Sequence, residues 1–561
     1  GMPGFKSILE RVAEVWKTRS ADVLADAKSV ADAVREVTTA APKESAGALK
    51  KEWFADAFKA LAHRWDPIHG GMGHAPKFPQ PSAIQYLLRL HRRTGAAEPL
   101  IAAQKQLAGM ARGGIYDHLG GGFARYSTDE KWLVPHFEKM AYDNGQLLRI
   151  YAEAHALAPD PLYEHVLRET AAYVLRDLRH ADGPFYSAED ADSEGVEGKF
   201  YVWRKSEVQE VLLNESAVGE KGLALFCSVY GVTDGGNWED PHHDTRGLTV
   251  LSLVRLPAEA ATEFGLDLPE AESLLNRARA SLLRSRSKRV RPGLDDKVLT
   301  GWNALIITGL ACAGQVLGEA AWIDAAAQAA EFLWTHLRDE QGDLLRRWRD
   351  GEAAGRGSLE DYAHFTEACV ALHAATLDPR WMDRARVLHS RTVELFWDTE
   401  GAGFFFAEAG RADLIARAKD VDDGALPSPL AVATLNGLKL AEVYGVEEWR
   451  SQAEATLKAY STYLAEHPLA VTGLLMVLDW FMGPVKEVVL AEPVESPRGS
   501  ALKAHLDRAF LPHALVLSTA VEGSPLTEFR VPRQGQETAY VCEGQTCQAP
   551  VTDEAALQKL I

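Results

Sequence analysis

The sequence predicts a mainly α fold: an (α/α)6 toroid, or six-hairpin barrel, with long loops and a β-hairpin at one end, plus a small C-terminal α/β appendage. Three observations predict the toroid. Twelve helix-length segments carry apolar residues at helical spacing. Very short turns alternate with long, motif-rich loops, as in antiparallel hairpins whose long loops share one end. The segment 304–317 is apolar nearly all round whereas 320–338 is amphipathic, which indicates an inner and an outer helical layer.

The short turns that join the predicted hairpins include Gly95-Ala96, Asp378-Pro379 and Gly445. An open solenoid of helical hairpins is the alternative architecture. Solenoid repeats have near-constant length, however, and the region 206–299 interrupts the alternation, so the closed toroid is favoured. The predicted helices cover approximately 49–63, 81–94, 97–112, 137–157, 161–179, 270–285, 300–317, 320–338, 358–377, 380–397, 428–444 and 446–465.

The sequence divides into three expected parts. Residues 1–46 form a helical arm and linker, because helical apolar spacing gives way to a Pro-containing stretch of small residues. Residues 47–482 form the barrel, and 483–561 form a small α/β region in which strand and helix patterns alternate. A hairpin that pairs 184–187 with 199–203 is predicted among the barrel loops.

Charge and cysteine content narrow the class of protein. The chain has 60 Lys and Arg against 79 Asp and Glu, a net charge of −19, which argues against nucleic-acid or membrane partners. The apolar stretch 469–481 is too short to span a bilayer, and no secretion signal is visible, so a cytoplasmic location is expected. Five cysteines do not suggest a disulfide framework. Cys542-x4-Cys547 is interpreted as a structural pair, with a redox pair as the alternative.

The long loops collect residues that suit a polar-ligand pocket. Acids, imidazoles, a guanidinium and aromatics recur there on glycine-rich backbone. Each residue alone could equally cap a helix or form a surface ion pair, but their recurrence at one predicted end favours a binding site. The substrate-binding candidates are His74, Asp117, Arg125, Tyr126, Trp132, Asp143, Trp238, Asp296, Trp302, Asn303, Asp361, His364 and Asp423.

Two loop motifs supply candidates for acid–base catalysis. His136 and Glu138 lie just before a helix, where they are either an acid/base pair or capping groups. The run 189–194 holds four carboxylates, and their mutual repulsion would raise some of the pKa values unless a cation or Arg compensates, which suits a general acid; an exposed acidic loop is the alternative. A calcium loop is disfavoured because Tyr201 stands where a bidentate Glu is required, and no metal or cofactor is predicted. The catalytic candidates are His118, His136, Glu138, Asp190 and Asp192.

These motifs predict a carbohydrate-active enzyme with a sugar-like small-molecule ligand. Aromatic rings stack on sugar faces while carboxylates and Asn bond the hydroxyl groups, whereas a nucleic-acid groove needs a basic surplus that this chain lacks. In an epimerase, His118 and His136 would move a proton at a sugar carbon. In a glycosidase, Glu138 and Asp190 would protonate the glycosidic oxygen.

The runs 113–144, 185–203 and 295–303 resemble the family of spermatogenesis-associated thioredoxin-like proteins and their bacterial relatives. The resemblance covers nearly the whole chain. It implies an (α/α)6 barrel similar to N-acylglucosamine 2-epimerases and six-hairpin glycosidases, preceded by a thioredoxin-like domain that this sequence lacks. Residues 3–37 look like the trailing helix of that domain. The alternative function is therefore a non-catalytic ligand-binding or interaction scaffold associated with a thioredoxin-like domain or protein.

Overall fold

Helices dominate the computed structural model, which describes residues 4–39, 48–239, 244–492, 500–544 and 546–561. The linker is predicted at 38–47; its first two residues belong to helix α1, and the rest of it lies outside the described residues. The helices are α1 (Phe5–Thr39), α2 (Glu52–Arg64), α3 (Pro81–Thr94), α4 (Ala97–Arg112), α5 (Ala141–Leu157), α6 (Pro161–Tyr173), α7 (Lys205–Leu213), α8 (Gly219–Tyr230), α9 (Pro257–Glu263), α10 (Leu268–Arg286), α11 (Thr300–Leu317), α12 (Ala320–His336), α13 (Leu359–Thr376), α14 (Pro379–Phe396), α15 (Pro429–Tyr444), α16 (Glu447–Ala459), α17 (Ser461–Glu466), α18 (Thr472–Phe481), α19 (Ala501–Asp507) and α20 (Glu554–Gln558).

The strands are short, and most of them lie in the loops at one end of the helices. They are β1 (Tyr126–Ser127), β2 (Pro135–His136), β3 (Lys139–Met140), β4 (Ala188–Glu189), β5 (Asp192–Ser193), β6 (Val196–Glu197), β7 (Trp203–Arg204), β8 (Leu248–Thr249), β9 (Leu294–Asp295), β10 (Val298–Leu299), β11 (Leu345–Arg349), β12 (Glu352–Arg356), β13 (Lys486–Ala491), β14 (Ala514–Ser518), β15 (Thr538–Glu543) and β16 (Thr546–Cys547).

Six helices form a closed inner ring. Helices α3, α5, α11, α13, α15 and α18 pack in that order, and α18 packs back against α3. Helices α5 and α11 pack tightly: Gly145 faces the backbone of Ile306, and a side chain at Gly309 would collide with the Gly145 carbonyl. Because the ring closes, the open-solenoid alternative is wrong and the predicted (α/α)6 barrel is confirmed.

An outer layer covers the ring. Helices α4, α6, α12, α14 and α16 each pack on the inner helix that precedes them in sequence. The hydroxyl of Tyr86 on α3 donates a hydrogen bond to the carbonyl of Phe54 on α2, 3.0 Å away, so α2 belongs to the same layer. Left-handed glycines end the inner helices at Gly95, Gly318 and Gly445, which explains the short predicted turns.

Two local predictions differ from the structure. The predicted helix at 270–285 is not a barrel helix: α10 packs with α7, α8 and α9 around a separate apolar core. The sixth inner helix is instead α18, within the apolar stretch 469–481. The predicted hairpin of 184–187 with 199–203 is also absent from the described strands, because β4 pairs with β3 and β9 and β7 pairs with β8.

The C-terminal region is an α/β unit, as predicted, built on a four-stranded sheet in the order β14-β13-β15-β16. Strands β13 and β14 are parallel and the other pairs are antiparallel. One helix among the described residues, α11, is long and apolar enough to cross a membrane, but 72% of that segment is buried inside the protein. The boundaries at 46/47 and 482/483 stay predictions.

Candidate active site

The N-terminal ends of the six inner helices meet at one end of the barrel, which we call the mouth. Tyr142 at the start of α5 packs edge-to-face on Trp302 at the start of α11, with ring centroids 4.8 Å apart. The amide of Gly301 donates to Asp361 at the start of α13, 3.0 Å away. The starts of α3 and α18 and the loop before α15 line one cavity there. Partial positive charge at helix N-termini stabilises carboxylates at this position.

The mouth contains a cavity of about 310 Å³ with two carboxyl groups in its wall. Asp143 on α5 is buried, and its Oδ2 has no hydrogen-bond partner among the described residues. Burial raises the pKa of Asp143 well above its usual range, although the charge of Arg125 acts against this. Burial therefore favours the protonated form of this carboxyl, which can donate a hydrogen bond or a proton.

The second carboxyl, Asp423, is held rigidly. It accepts hydrogen bonds from the amide of Ser428 at 3.0 Å, from the hydroxyl of Thr472 at 2.9 Å and from the amide of Gly473 at 2.7 Å. Burial raises the pKa of Asp423, while these three donors favour its ionised form. The cavity thus has one carboxyl with a free oxygen and one that is fixed in place by three donors.

A chain of four charged side chains extends from the cavity wall. Arg125 lines the cavity and lies 3.2 Å from Glu138, whose Oε2 is 3.6 Å from His136 Nε2. The other ring nitrogen of His136 lies 2.7 Å from Glu197. Hydrogen bonds to Glu138 and Glu197 raise the pKa of His136, and the same contact with His136 lowers the pKa of Glu138. The ring of His136 stacks on Tyr126, with centroids 5.1 Å apart.

The start of α13 carries two more carboxyl groups whose pKa values are raised, Glu360 and Asp361. Burial, with the charge of Asp361, raises the pKa of Glu360 to about 7. Asp361 itself is ion-paired to Arg346 at 3.1 Å and bonds the amide of Ser358, so it fixes the start of α13. Gly301 lies against Glu360, where an added Cβ would stand 3.2 Å from its Oε1. Glu360 therefore belongs to the mouth, next to Trp302.

Several predicted residues are bound into the protein away from the cavity wall. Asp117 is buried between Lys139 and Arg286, which hold its pKa well below its usual range. His118 is buried with Nε2 2.9 Å from the carbonyl of Gly113, and burial lowers its pKa to about 4. His118 lines a small cavity with Phe137 and Lys139 rather than the mouth cavity, and its action together with His136 stays a prediction.

Three further candidates, Trp132, Asn303 and His364, are buried. Trp132 is buried beneath Gly71 and Gly109 and donates to the carbonyl of His69. Asn303 exchanges two hydrogen bonds with the backbone of Phe185. His364 is fully buried, neither ring nitrogen has a partner among the described residues, and burial lowers its pKa to about 4.

The remaining candidates lie on outer loops. Asp190 and Asp192 are exposed, and Asp190 accepts a hydrogen bond from the backbone amide of Ala191. Their surroundings match the alternative prediction, an exposed acidic loop. His74 is exposed, Asp296 is ion-paired to Arg349, and Trp238 packs on Phe137 away from the mouth cavity. No group of three or more His, Cys, Asp or Glu residues in the described ranges is arranged to hold a metal ion.

Sequence reasoning missed three residues of this region. Tyr142 and Glu360 directly precede the predicted candidates Asp143 and Asp361 at the starts of α5 and α13. Their place at the start of an inner helix could have indicated them. Glu197 gave no local signal, because it reaches His136 across 61 residues of sequence.

Comparison with known proteins identifies the family, although no family model matches the chain. The chain is 34% identical to spermatogenesis-associated protein 20 of Homo sapiens over 596 aligned residues, covering 100% of this chain and 75% of the relative. Identity to the protein of the same name from Mus musculus is 32%, with the same coverage.

Solved structures similar to the chain share very little sequence with it. A GH76 α-mannanase from Bacteroides thetaiotaomicron has a TM-score of 0.42 and 10% identity, covering 72% of this chain and 82% of that one. A cellobiose 2-epimerase from Bacillus thermoamylovorans has a TM-score of 0.31 and 12% identity, covering 68% and 96%. The sequence relatives confirm the resemblance found in the motifs, and the chain belongs to the family of spermatogenesis-associated protein 20.

Proposed function

We propose that the protein is a carbohydrate-active enzyme that binds a sugar or glycoside in the mouth cavity and acts on it by acid–base chemistry, in a glycosidase- or epimerase-like reaction. The observation that carries this proposal is the pair of carboxyl groups, Asp143 and Asp423, in the wall of one cavity of about 310 Å³. A cavity of this size suits a small ligand, and most glycosidases use a pair of carboxyl groups for acid–base catalysis.

The two carboxyl groups suit different roles. Asp143 is the proposed general acid, because burial favours its protonated form and one of its oxygens is free to contact the ligand. Asp423 is the proposed base or nucleophile, because its three donors fix its position and act against the rise in pKa that burial causes. In a glycosidase, Asp143 would protonate the leaving oxygen while Asp423 acts on the other side of the sugar ring. In an epimerase, the same pair would exchange a proton at a sugar carbon.

Neighbouring side chains would orient the ligand. Phe78 lines the cavity with 40% of its surface exposed, so it offers a ring face for a sugar. Arg125 is 40% exposed and already paired with Glu138, so its remaining donors can bond hydroxyl groups without demanding an anionic ligand. His136 and Glu138 are proposed as positioning residues that hold Arg125 at the cavity wall.

The test is turnover on a panel of reducing disaccharides and aryl glycosides in deuterated water, which reports both hydrolysis and proton exchange. We expect wild-type activity on a member of the panel, and a loss of about 10²- to 10⁴-fold in kcat/KM for Asp143→Asn. Asp56→Asn, on the outer helix α2, is the matched control and should keep full activity. Equal activity of Asp143→Asn and wild type, or no turnover across the panel, would overturn the proposal.

A second candidate function rests on one observation. Helix α1 exposes large apolar side chains along its length, including Phe5 (75% exposed), Val12 (61%) and Trp16 (53%). Such a face is typical of a surface that binds another protein, so it favours the scaffold hypothesis with a thioredoxin-like partner. Tight binding of such a protein by a chain without turnover would support this candidate over the enzyme.

A further inference from the structure

A disulfide lies at the edge of the C-terminal sheet, far along the chain from the barrel mouth. Cys542 on β15 and Cys547 on β16 are register partners across an antiparallel pair and are joined by a disulfide. Strand β16 is the edge strand of the sheet. Cys542 is buried, whereas Cys547 is exposed. One sulfur atom is therefore open to attack and the other is held inside the protein.

A guanidinium group contacts both sulfur atoms. Arg530 Nη2 lies 3.2 Å from Cys547 Sγ and 3.6 Å from Cys542 Sγ. Its Nε is buried without a hydrogen-bond partner, and the described residues place no carboxylate in an ion pair with it. The group also lies over the ring of Tyr540, 5.0 Å from the centroid, which fixes its position. A positive charge that is not neutralised and that faces two sulfurs stabilises the thiolates formed when the disulfide opens.

The other cysteines show the contrast. Cys227, Cys312 and Cys369 are free thiols within the described residues. Burial raises the pKa of Cys227 and raises that of Cys312 to about 12, and burial also raises the pKa of Cys369. Thiols in such apolar surroundings are inert. Exposure and a cationic partner occur together only at the Cys542–Cys547 pair among the described cysteines.

We infer that Cys542 and Cys547 form a redox-active disulfide that undergoes thiol–disulfide exchange with an external dithiol. This inference is independent of the proposed sugar chemistry. The geometry assigns the entry point to Cys547 and the leaving group to Cys542, with Arg530 beside both.

The exchange proceeds in two balanced steps. A thiolate of the dithiol attacks Cys547 Sγ and forms a mixed disulfide, the bond to Cys542 breaks, and its electron pair remains on Cys542 Sγ as a thiolate. The second thiolate of the dithiol then attacks its own sulfur in the mixed disulfide and releases Cys547 as a thiolate. Two electrons pass from the dithiol to the cysteine pair, the dithiol becomes a disulfide, and its two protons go to the new thiols or to solvent.

The test uses the full chain, dithiothreitol as the dithiol, and mass spectrometry of the peptides. We expect the air-oxidised protein to contain the Cys542–Cys547 disulfide and dithiothreitol to reduce it without unfolding the barrel. In the reduced protein, the pH dependence of Cys547 alkylation by iodoacetamide gives its pKa. We expect a value below the ordinary thiol pKa of about 8.5.

Three variants isolate the part played by Arg530. Arg530→Gln should raise the pKa of Cys547 by about one unit, Arg530→Lys should keep most of the effect, and Arg508→Gln, at an exposed arginine in the same region, should change nothing. Equal pKa values for wild type and Arg530→Gln would overturn the inference. If Arg530→Gln does not fold, a wild-type pKa at or above about 8.5, or absence of the disulfide from the oxidised protein, decides against it.

Discussion

Asp117 was predicted to bind substrate, but its surroundings indicate that it stabilises the fold instead. Its carboxylate accepts hydrogen bonds from Lys139 at 2.8 Å and from Arg286 at 2.8 and 2.7 Å. The three side chains are only 7%, 4% and 5% exposed. Asp117→Asn would remove the charge and leave two cations in a dry site. Breaking a buried ion pair in this way costs about 3–5 kcal/mol, so we expect the free energy of unfolding to fall by that amount.

The control is the same substitution at an exposed ion pair. Asp56 and Lys59 lie 3.0 Å apart, with 59% and 72% of their side chains exposed. Asp56→Asn should therefore cost less than about 1 kcal/mol. Urea unfolding followed by tryptophan fluorescence compares the two variants with wild type at pH 7. An Asp117→Asn loss no larger than that of Asp56→Asn would refute the assignment of Asp117 as a structural anchor.

The same ion pair gives a pH dependence whose sign is fixed. Lys139 and Arg286 lower the pKa of Asp117 in the folded protein below that of the unfolded chain, which is about 3.9. The stabilisation is therefore fully present above about pH 4 and is lost as the pH falls through the lower folded-state pKa. The difference in unfolding free energy between wild type and Asp117→Asn should be constant from pH 8 to pH 5 and should shrink in stronger acid.

The remaining predictions concern the His136 chain and the ring. Glu197→Gln removes a charged hydrogen-bond partner of His136 and should lower the pKa of His136 in an NMR titration. The control is Glu194→Gln, which should leave that pKa unchanged because Glu194 pairs with Lys199. Equal His136 pKa values in wild type and Glu197→Gln would show that Glu197 does not act on His136. Gly309→Ala places a Cβ 2.2 Å from the Gly145 carbonyl oxygen and should reduce the free energy of unfolding by about 1–3 kcal/mol. The control is Gly235→Ala, whose Cβ meets open space and which should change the free energy of unfolding very little. A Gly309→Ala variant as stable as wild type would contradict the α5–α11 packing.

Local residue patterns predict most of the barrel helices. Helix α11 is apolar on nearly every side because it lies between two inner neighbours and an outer helix, and this pattern alone identified it as an inner element. Helix α18 was not recognised as its equivalent, because Asp479 interrupts a run of only ten residues. The Asp479 carboxylate is stabilised by Arg93 and Arg89, which are about 390 residues away in sequence. The local sequence around Asp479 therefore does not predict these ion pairs.

For the candidate site, too, the sequence predicts which residues lie at the mouth but not which partners they contact. Asp143, Asp423 and Arg125 were predicted because they belong to the motif-rich segments between the helical hairpins, and the hairpin topology brings these segments to one end. Asp117 lies in the same loop as Arg125, yet it is buried against Arg286, 169 residues further along the chain. Which loop carboxylate receives a cation and which keeps a free oxygen depends on these distant partners.

The helical hairpins, their inner and outer layers, the acidic balance and the end at which polar residues gather can all be predicted from the amino-acid sequence. These properties follow from periodicity and chain connectivity, which act over a few residues at a time. Three features become visible in the folded chain alone: Asp143 has an oxygen without a partner among the described residues, Glu197 contacts His136, and Arg530 faces the disulfide. Burial and electrostatic pairing depend on distances between residues that are remote in sequence, and those distances exist only in the folded chain.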